Sequence, residues 1–278
     1  MIPTMHGLST MHCNMLTEIR LAGETGFEGL EMVESKIVRY LQQGYRAEEL
    51  VPVFEKYGIK PVTINALKGI ERVEWQERKQ LMDECEVLCS AAETIGCPTI
   101  QLVEFSGLVG RPRDEIMRLT AENVREIADI GASHGVRFQL EPVAFSPIHS
   151  LWQSIELIDM VGRDNVRMVI DFWHLWAGGE TKPDDVAGLD KSWIYGVHFC
   201  DGVRPAPGTP WDQWDERALR GYLPGDGDIP VREWVDAVKS TGFDGVWSSE
   251  LLSPRHWEWD IADIARETKR RLEMYAGA

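Results

Sequence analysis

Short apolar, β-branched runs alternate with longer stretches of helical periodicity along the whole chain, and this alternation constrains the fold more than any other feature. Strand followed by helix, repeated, is the pattern of βαβ units and a parallel sheet. The candidate strands are Ile2–Gly7, Gly29–Val33, Ile59–Ile64, Thr99–Val103, Arg137–Glu141, Arg167–Asp171, Ile194–Phe199 and Gly245–Glu250. Helical patterns between them are clearest in Glu74–Ile95, Arg113–His134, Val231–Ser240 and Trp259–Met274. Gly58, Gly96, Gly135 and Gly242 each fall between a helix and the next strand, where a C-cap calls for positive φ. About eight such units fit a single (β/α)₈ TIM barrel of the α/β class better than an open sheet. TGFEGLEMVES (Thr25–Ser35) and TGFDGVWSSEL (Thr241–Leu251) share a Thr-Gly-Phe-acid-Gly core, as two copies of one barrel unit would. No Ser/Pro-rich linker or low-complexity tract interrupts the pattern, so one domain over 1–278 is expected.

Charge and composition narrow the partners. With 45 acidic against 29 basic residues the formal net charge is −16, which argues against a nucleic-acid partner held through phosphates. The cysteines are five, an odd number without paired zinc-type doublets, and Cys85 and Cys89 at i, i+4 read as buried free thiols. The opening MIPTMHGLSTMH has no basic region followed by an apolar one, and no apolar run approaches 18 residues. A cytoplasmic protein with no membrane partner is expected.

Four residues of metal-ligand type fall at the C-terminal ends of four successive candidate strands: Glu141 in RFQLEP, Asp171 in RMVIDFWH, His198 in YGVHFCDG and Glu250 in VWSSELL. In a barrel those ends converge on the face where function is built. Three carboxylates and one imidazole suit Mn²⁺, Mg²⁺, Co²⁺ or Zn²⁺. His174 follows Asp171 by three residues and is expected to contact substrate or support a ligand. Asp201 and Arg204 complete His-x-x-Asp-x-x-Arg, and Arg204 is expected to bind a substrate oxygen. Glu104, just past the fourth strand, and His256, in SPRHWEW after the eighth, are weaker candidates for the same face. His149 and His134 read as helix-terminus residues, while His6 and His12 flank the first strand.

The longest irregular stretch, Asp201–Pro230, is rich in Pro, Gly and Trp, and a loop of that length is usually functional. Eleven tryptophans are many for this length. Trp173, Trp176, Trp211, Trp214, Trp257 and Trp259 follow candidate strands, where indoles serve either sugar stacking or packing. LPGDGDIP (Leu223–Pro230) has no following Gly-Lys-Ser/Thr and reads as a turn leading into a helix rather than a nucleotide loop. A Gly-x-Ser-x-Gly elbow is absent.

LEP at Glu141, IDFWH from Asp171 to His174, HFCDGVR from His198 to Arg204, LPGDGDIP and SSEL at Glu250 occur in an order that resembles the xylose-isomerase-like TIM barrels. The likeness is closest to their sugar phosphate isomerase/epimerase group, which includes ketose 3-epimerases, hydroxypyruvate isomerase, inosose dehydratase and 3-dehydroshikimate dehydratase. The resemblance implies a divalent metal, Mn²⁺ first, held by Glu141, Asp171, His198 and Glu250. It also implies substrate contact at His174 and Arg204, and Glu141 and Glu250 as the catalytic pair that moves a proton through an enediolate. One departure stands out: several dehydratases of the group carry a histidine one or two places after the first metal glutamate, where this chain has Pro142 and Val143.

The expected activity is therefore a metal-dependent isomerase or epimerase of a keto sugar or related polyol. The alternative is a lyase using the same activated carbon, by dehydration or β-elimination from an oxidised sugar or glycoside. An endonuclease IV-like reading fits poorly with seven histidines and the acidic charge. A non-catalytic sugar-binding barrel is disfavoured by the intact ligand set. The partner is expected to be a small carbohydrate, and a homo-oligomer is compatible with the tryptophan content.

Overall fold

Eight parallel strands close into a barrel in the computed structural model, which describes residues 1–105 and 107–277. They are β1 (Ile2–His6), β2 (Gly29–Val33), β3 (Lys60–Lys68), β4 (Thr99–Val103), β5 (Arg137–Glu141), β6 (Val166–Asp171), β7 (Ile194–Phe199) and β8 (Val246–Ser249). Each pairs with the next, and β8 closes on β1 with Met5 opposite Ser249. All eight expected strands are present within a few residues of their expected ends. The largest difference is β3, which continues past Ile64 through Asn-Ala-Leu-Lys, a run of low strand propensity. Pairing of Leu67 with Leu102 and Lys68 with Val103 on β4 supplies what the local sequence lacks.

Helices pack around this barrel. Trp75–Ile95 and Arg113–Ser133 are the longest, at 21 residues each. Gly96 ends the first in the left-handed conformation, with φ +72°. The last helix runs Ile261–Ala276, two residues later than its periodicity suggests, because the Asp260 side chain accepts from Ala262 N and sets the start. Phe172, Trp234 and Trp247 are fully buried and pack edge-on or tilted against one another between the sheet and the outer layer. Several tryptophans thus serve the core. All five cysteines are buried and unbridged. Among the described residues no helix is long and apolar enough to cross a membrane.

Inside the barrel the filling is unusually polar for a fold whose interior is mostly branched aliphatic. Gln139 donates to Gln101 at 2.9 Å, and Gln101 donates to Glu141 Oε2 at 2.9 Å. Gly196 lets this chain pass: a Cβ there would lie 2.8 Å from Gln139 Oε1.

The loop after β1 is anchored from below by a buried ion pair. Lys36 Nζ donates to Gly7 O at 2.9 Å, to Thr10 O at 2.8 Å and to the Glu18 carboxylate. Lys36→Met would leave Glu18 uncompensated in the interior. A loss of about 3–5 kcal/mol in urea unfolding is expected, and a loss under about 1 kcal/mol would show that the pair carries little.

Candidate metal centre and cleft

The C-terminal ends of β5, β6 and β7 and the residue following β8 bring four side chains to one point. Ligand atoms of Glu141, Asp171, His198 and Glu250 all lie within 4.8 Å of one another, and all four residues are buried. His198 Nδ1 is 2.9 Å from Glu141 Oε1 and 3.3 Å from both Asp171 Oδ2 and Glu250 Oε2. The opposite ring nitrogen, Nε2, is 3.1 Å from Glu31 Oε1, so Glu31 takes the Nε2 proton and leaves the Nδ1 lone pair facing three carboxylates. Such an arrangement is repulsive unless positive charge sits among those atoms. Burial disfavours a charged His198, but Glu31 and Glu250 outweigh it and raise the ring's pKa well above its ordinary value. A proton or a cation is what this geometry calls for, and a mixed oxygen and nitrogen set of this kind suits a divalent metal.

Arg220 supplies the other positive charge. Buried at 2% exposure, it donates from Nη2 to Asp171 Oδ2 at 2.8 Å and to Glu250 Oε2, and from Nη1 to Glu216 Oε1 at 2.8 Å. Burial pushes the Asp171 carboxyl up, yet Arg220, His174 and His198 outweigh it and hold it well below the usual range. For Glu250 burial wins, and its carboxyl is raised. Asp171 also caps the helix that follows it, accepting from His174 N at 2.7 Å. That cap orients His174. Its Nδ1 accepts from Ala144 N at 3.1 Å, and its Nε2 lies 2.9 Å from Arg220 Nη1 and 3.5 Å from Glu216 Oε1, the oxygen that also accepts from that guanidinium.

Glu141, His174, Glu216, Arg220 and Glu250 line a cleft of about 460 Å³ with Asn65, Val103, Phe105, Val143, Phe145, Trp214, Arg217 and Trp257. His6 stands behind it. Leu8 N donates to His6 Nδ1 at 3.0 Å, and Nε2 lies 3.2 Å from Asn65 Nδ2, 3.5 Å from Glu31 and 3.7 Å from Glu250.

Three expected substrate residues lie elsewhere. Arg204 stacks on Trp176, 4.2 Å from the ring centroid, and donates to Trp176 O at 2.6 Å, while Arg220 occupies the place expected for it. Glu104 sits between Val103 and Phe105, both of which line the cleft, and strand alternation turns it outward into the barrel wall. His256 is held by Ser253 Oγ at 2.7 Å and packs on Trp259, lining a separate depression with Arg255 and Arg271. Asp201 is structural: its carboxylate accepts from the backbone N–H of Gly202, Gly225, Gly227 and Ile229 and shapes the LPGDGDIP turn. Arg220 and Glu31 are not marked as site residues by the sequence, while His6, flanking the first strand, offers a pocket-lining position. A carboxylate inside the apolar strand GLEMV was a usable signal for Glu31; nothing in the spacing marked Arg220.

A closed barrel whose rim gathers three carboxylates and an imidazole is suited to a divalent metal. The model of the xylose isomerase-like TIM barrel family matches residues 19–274, and the chain belongs to that family. An inosose isomerase of Bacillus velezensis is 25% identical over 263 residues, covering 94% of this chain and 91% of the relative. A 2-oxo-tetronate isomerase of Haemophilus influenzae is 28% identical over 164 residues, covering 53% of this chain and 62% of the relative. Among solved structures, the IolI protein with a bound zinc atom superimposes with a TM-score of 0.90 at 21% identity, covering 100% of this chain and 98% of that one. With such relatives along most of its length, the chain is an enzyme.

Two outcomes follow from the site's electrostatics. Glu31→Gln is expected to weaken divalent-metal binding about 10–100-fold, read by competition with a chelating dye. Unchanged affinity would remove Glu31 from the support of His198. Glu104 has no hydrogen-bond partner for either oxygen among the described residues, and burial, with Glu71 nearby, pushes its carboxyl from 4.5 to about 8. The folded state therefore holds a proton that the unfolded chain releases, and stability falls as pH rises from about 4.5 to about 8. Glu104→Gln is expected to gain stability over the parent across that window, most at its upper end. Parallel denaturation profiles for the two proteins would contradict this.

Proposed function

We propose that the protein is a divalent-metal-dependent isomerase or epimerase of a keto sugar or related polyol such as an inosose. The observation that carries this reading is the convergence of Glu141, Asp171, His198 and Glu250 within 4.8 Å at the C-terminal rim. These four residues would hold the ion. Three oxygen donors with one imidazole favour Mn²⁺, with Mg²⁺, Co²⁺ or Zn²⁺ as the other candidates. When bound, the ion supplies Lewis-acid polarisation of a ketone oxygen and so acidifies the neighbouring C–H.

The chain's own groups do the rest. Arg220 and His174 both line the cleft beside Glu250 and would orient a substrate hydroxyl. Glu250 keeps one oxygen on Arg220, which leaves Oε1, near His6, to take the proton from carbon. Glu141 is pinned through Oε2 by Gln101 and would serve the opposite face through Oε1. Delivery of a proton to the same carbon from that face, by Glu141 in its protonated form, inverts it; return of the first proton from Glu250 to the adjacent carbon, with the hydroxyl proton passing to the former carbonyl oxygen, moves the carbonyl.

The test is proton NMR in D₂O of the metal-loaded enzyme with a panel of ketoses and inososes. Deuterium is expected beside the carbonyl together with a stereoisomeric product, and an eliminated group with vinylic signals would move the reading to a lyase. Glu250→Gln is expected to keep the fold and lower exchange by about 10²–10⁴-fold. Full exchange in that variant would exclude Glu250 as the base.

A further inference from the structure

We infer that a second subsite abuts the metal cleft and takes a neutral, flat-faced extension of the substrate, either a second sugar ring or an aryl group. The inference rests on the proposed keto-sugar chemistry only in placing the reacting end at the metal centre. A cavity of about 540 Å³ is lined by Val109, Phe145, Trp211, Asp212 and Trp214. Phe145 and Trp214 also line the metal cleft, so the two spaces share a wall. The cleft alone, at about 460 Å³, is ample for a monosaccharide, and the second space is additional to it.

The lining is aromatic, and it is built rather than incidental. Trp211 opens a single 3₁₀ turn, Trp211–Gln213, and the i, i+3 spacing brings Trp214 to the same side. Trp214 is fixed, since its Nε1 donates to Thr209 O at 3.1 Å and its ring packs on Trp173. Trp211 is braced edge-on by His149, ring centroids 5.1 Å apart. His149 in turn donates from Nδ1 to Ser146 O at 2.9 Å. Even so Trp211 stays 45% exposed and Val109 60% exposed, which leaves their apolar faces free to meet a ligand. Indole faces stack on the C–H face of a pyranose or on an aryl ring. Among the described residues the lining holds one ionisable group, Asp212, which disfavours a phosphate or carboxylate at this end.

The test uses the metal-loaded full chain and isothermal titration calorimetry with three unreactive probes: methyl β-D-glucopyranoside, phenyl β-D-glucopyranoside and cellobiose. At least one of the extended probes is expected to bind about tenfold tighter than the methyl glycoside. Advantage for the phenyl glycoside alone assigns an aryl group; advantage for cellobiose alone assigns a sugar. Trp211→Ala and, separately, Val109→Asp are expected to bring the advantage below about threefold with methyl glycoside binding unchanged. Equal affinities in the parent protein, failure of all three probes to bind, or an advantage that survives both substitutions would overturn the subsite. Deuterium exchange into small ketoses, run on the same samples, reports on the metal-centre reading alone. Exchange without an extended-probe advantage removes the subsite and spares that reading; the advantage without exchange does the reverse.

Discussion

Negative charge buried at the C-terminal rim is the constraint on which the site depends. Glu141, Asp171 and Glu250 converge on His198 with almost no access to water. Carboxylates so close in a low-dielectric setting repel strongly unless each finds positive charge or a hydrogen-bond donor. The surrounding residues answer that need one by one. Arg220 bonds Asp171 and Glu250, Gln101 bonds Glu141, and Glu31 fixes His198 from behind so that its free nitrogen faces inward. The set of oxygen and nitrogen atoms that results is suited to a divalent cation.

The barrel makes such a cluster affordable in mechanical terms. Parallel strands end together, so one residue from each of four consecutive strand ends reaches a common point without any loop having to fold inward. Polar interior residues then extend support downward. The Gln139–Gln101–Glu141 chain ties a ligand to the barrel floor, and Gly196 clears the space it needs. Rigid strands hold the carboxylate and histidine cluster, while the loops after β4, β5 and β7 hold the aromatic and cationic groups that line the cleft. Precision and adaptability are thereby divided between scaffold and loops.

Much of this was legible beforehand. Strand periodicity located β5 and β7 to the residue, because their short apolar runs are bounded by turn and helix signals. Glu141, Asp171, His198 and Glu250 could be read as one set because each closes such a run. Arg204 illustrates the limit. Its spacing from His198 placed it near the site, but the nearby indole of Trp176 offered a stacking partner, and a loop residue goes where its neighbours hold it. Arg220 lies 22 positions after His198 in an irregular segment and is brought in only when that segment folds back against β7, where Val203 N donates to Leu219 O at 2.7 Å.

Sequence alone therefore determined the α/β alternation, the barrel and the four residues at its rim, since these follow from local periodicity and a repeated strand-end position. Tertiary structure decided the rest. It turned Glu104 into the wall and Val103 and Phe105 toward the cleft, set Glu31 behind His198, replaced Arg204 by Arg220, and carried His256 into a neighbouring depression. Those outcomes depend on strand closure and on contacts between residues far apart in the chain, which no local pattern encodes.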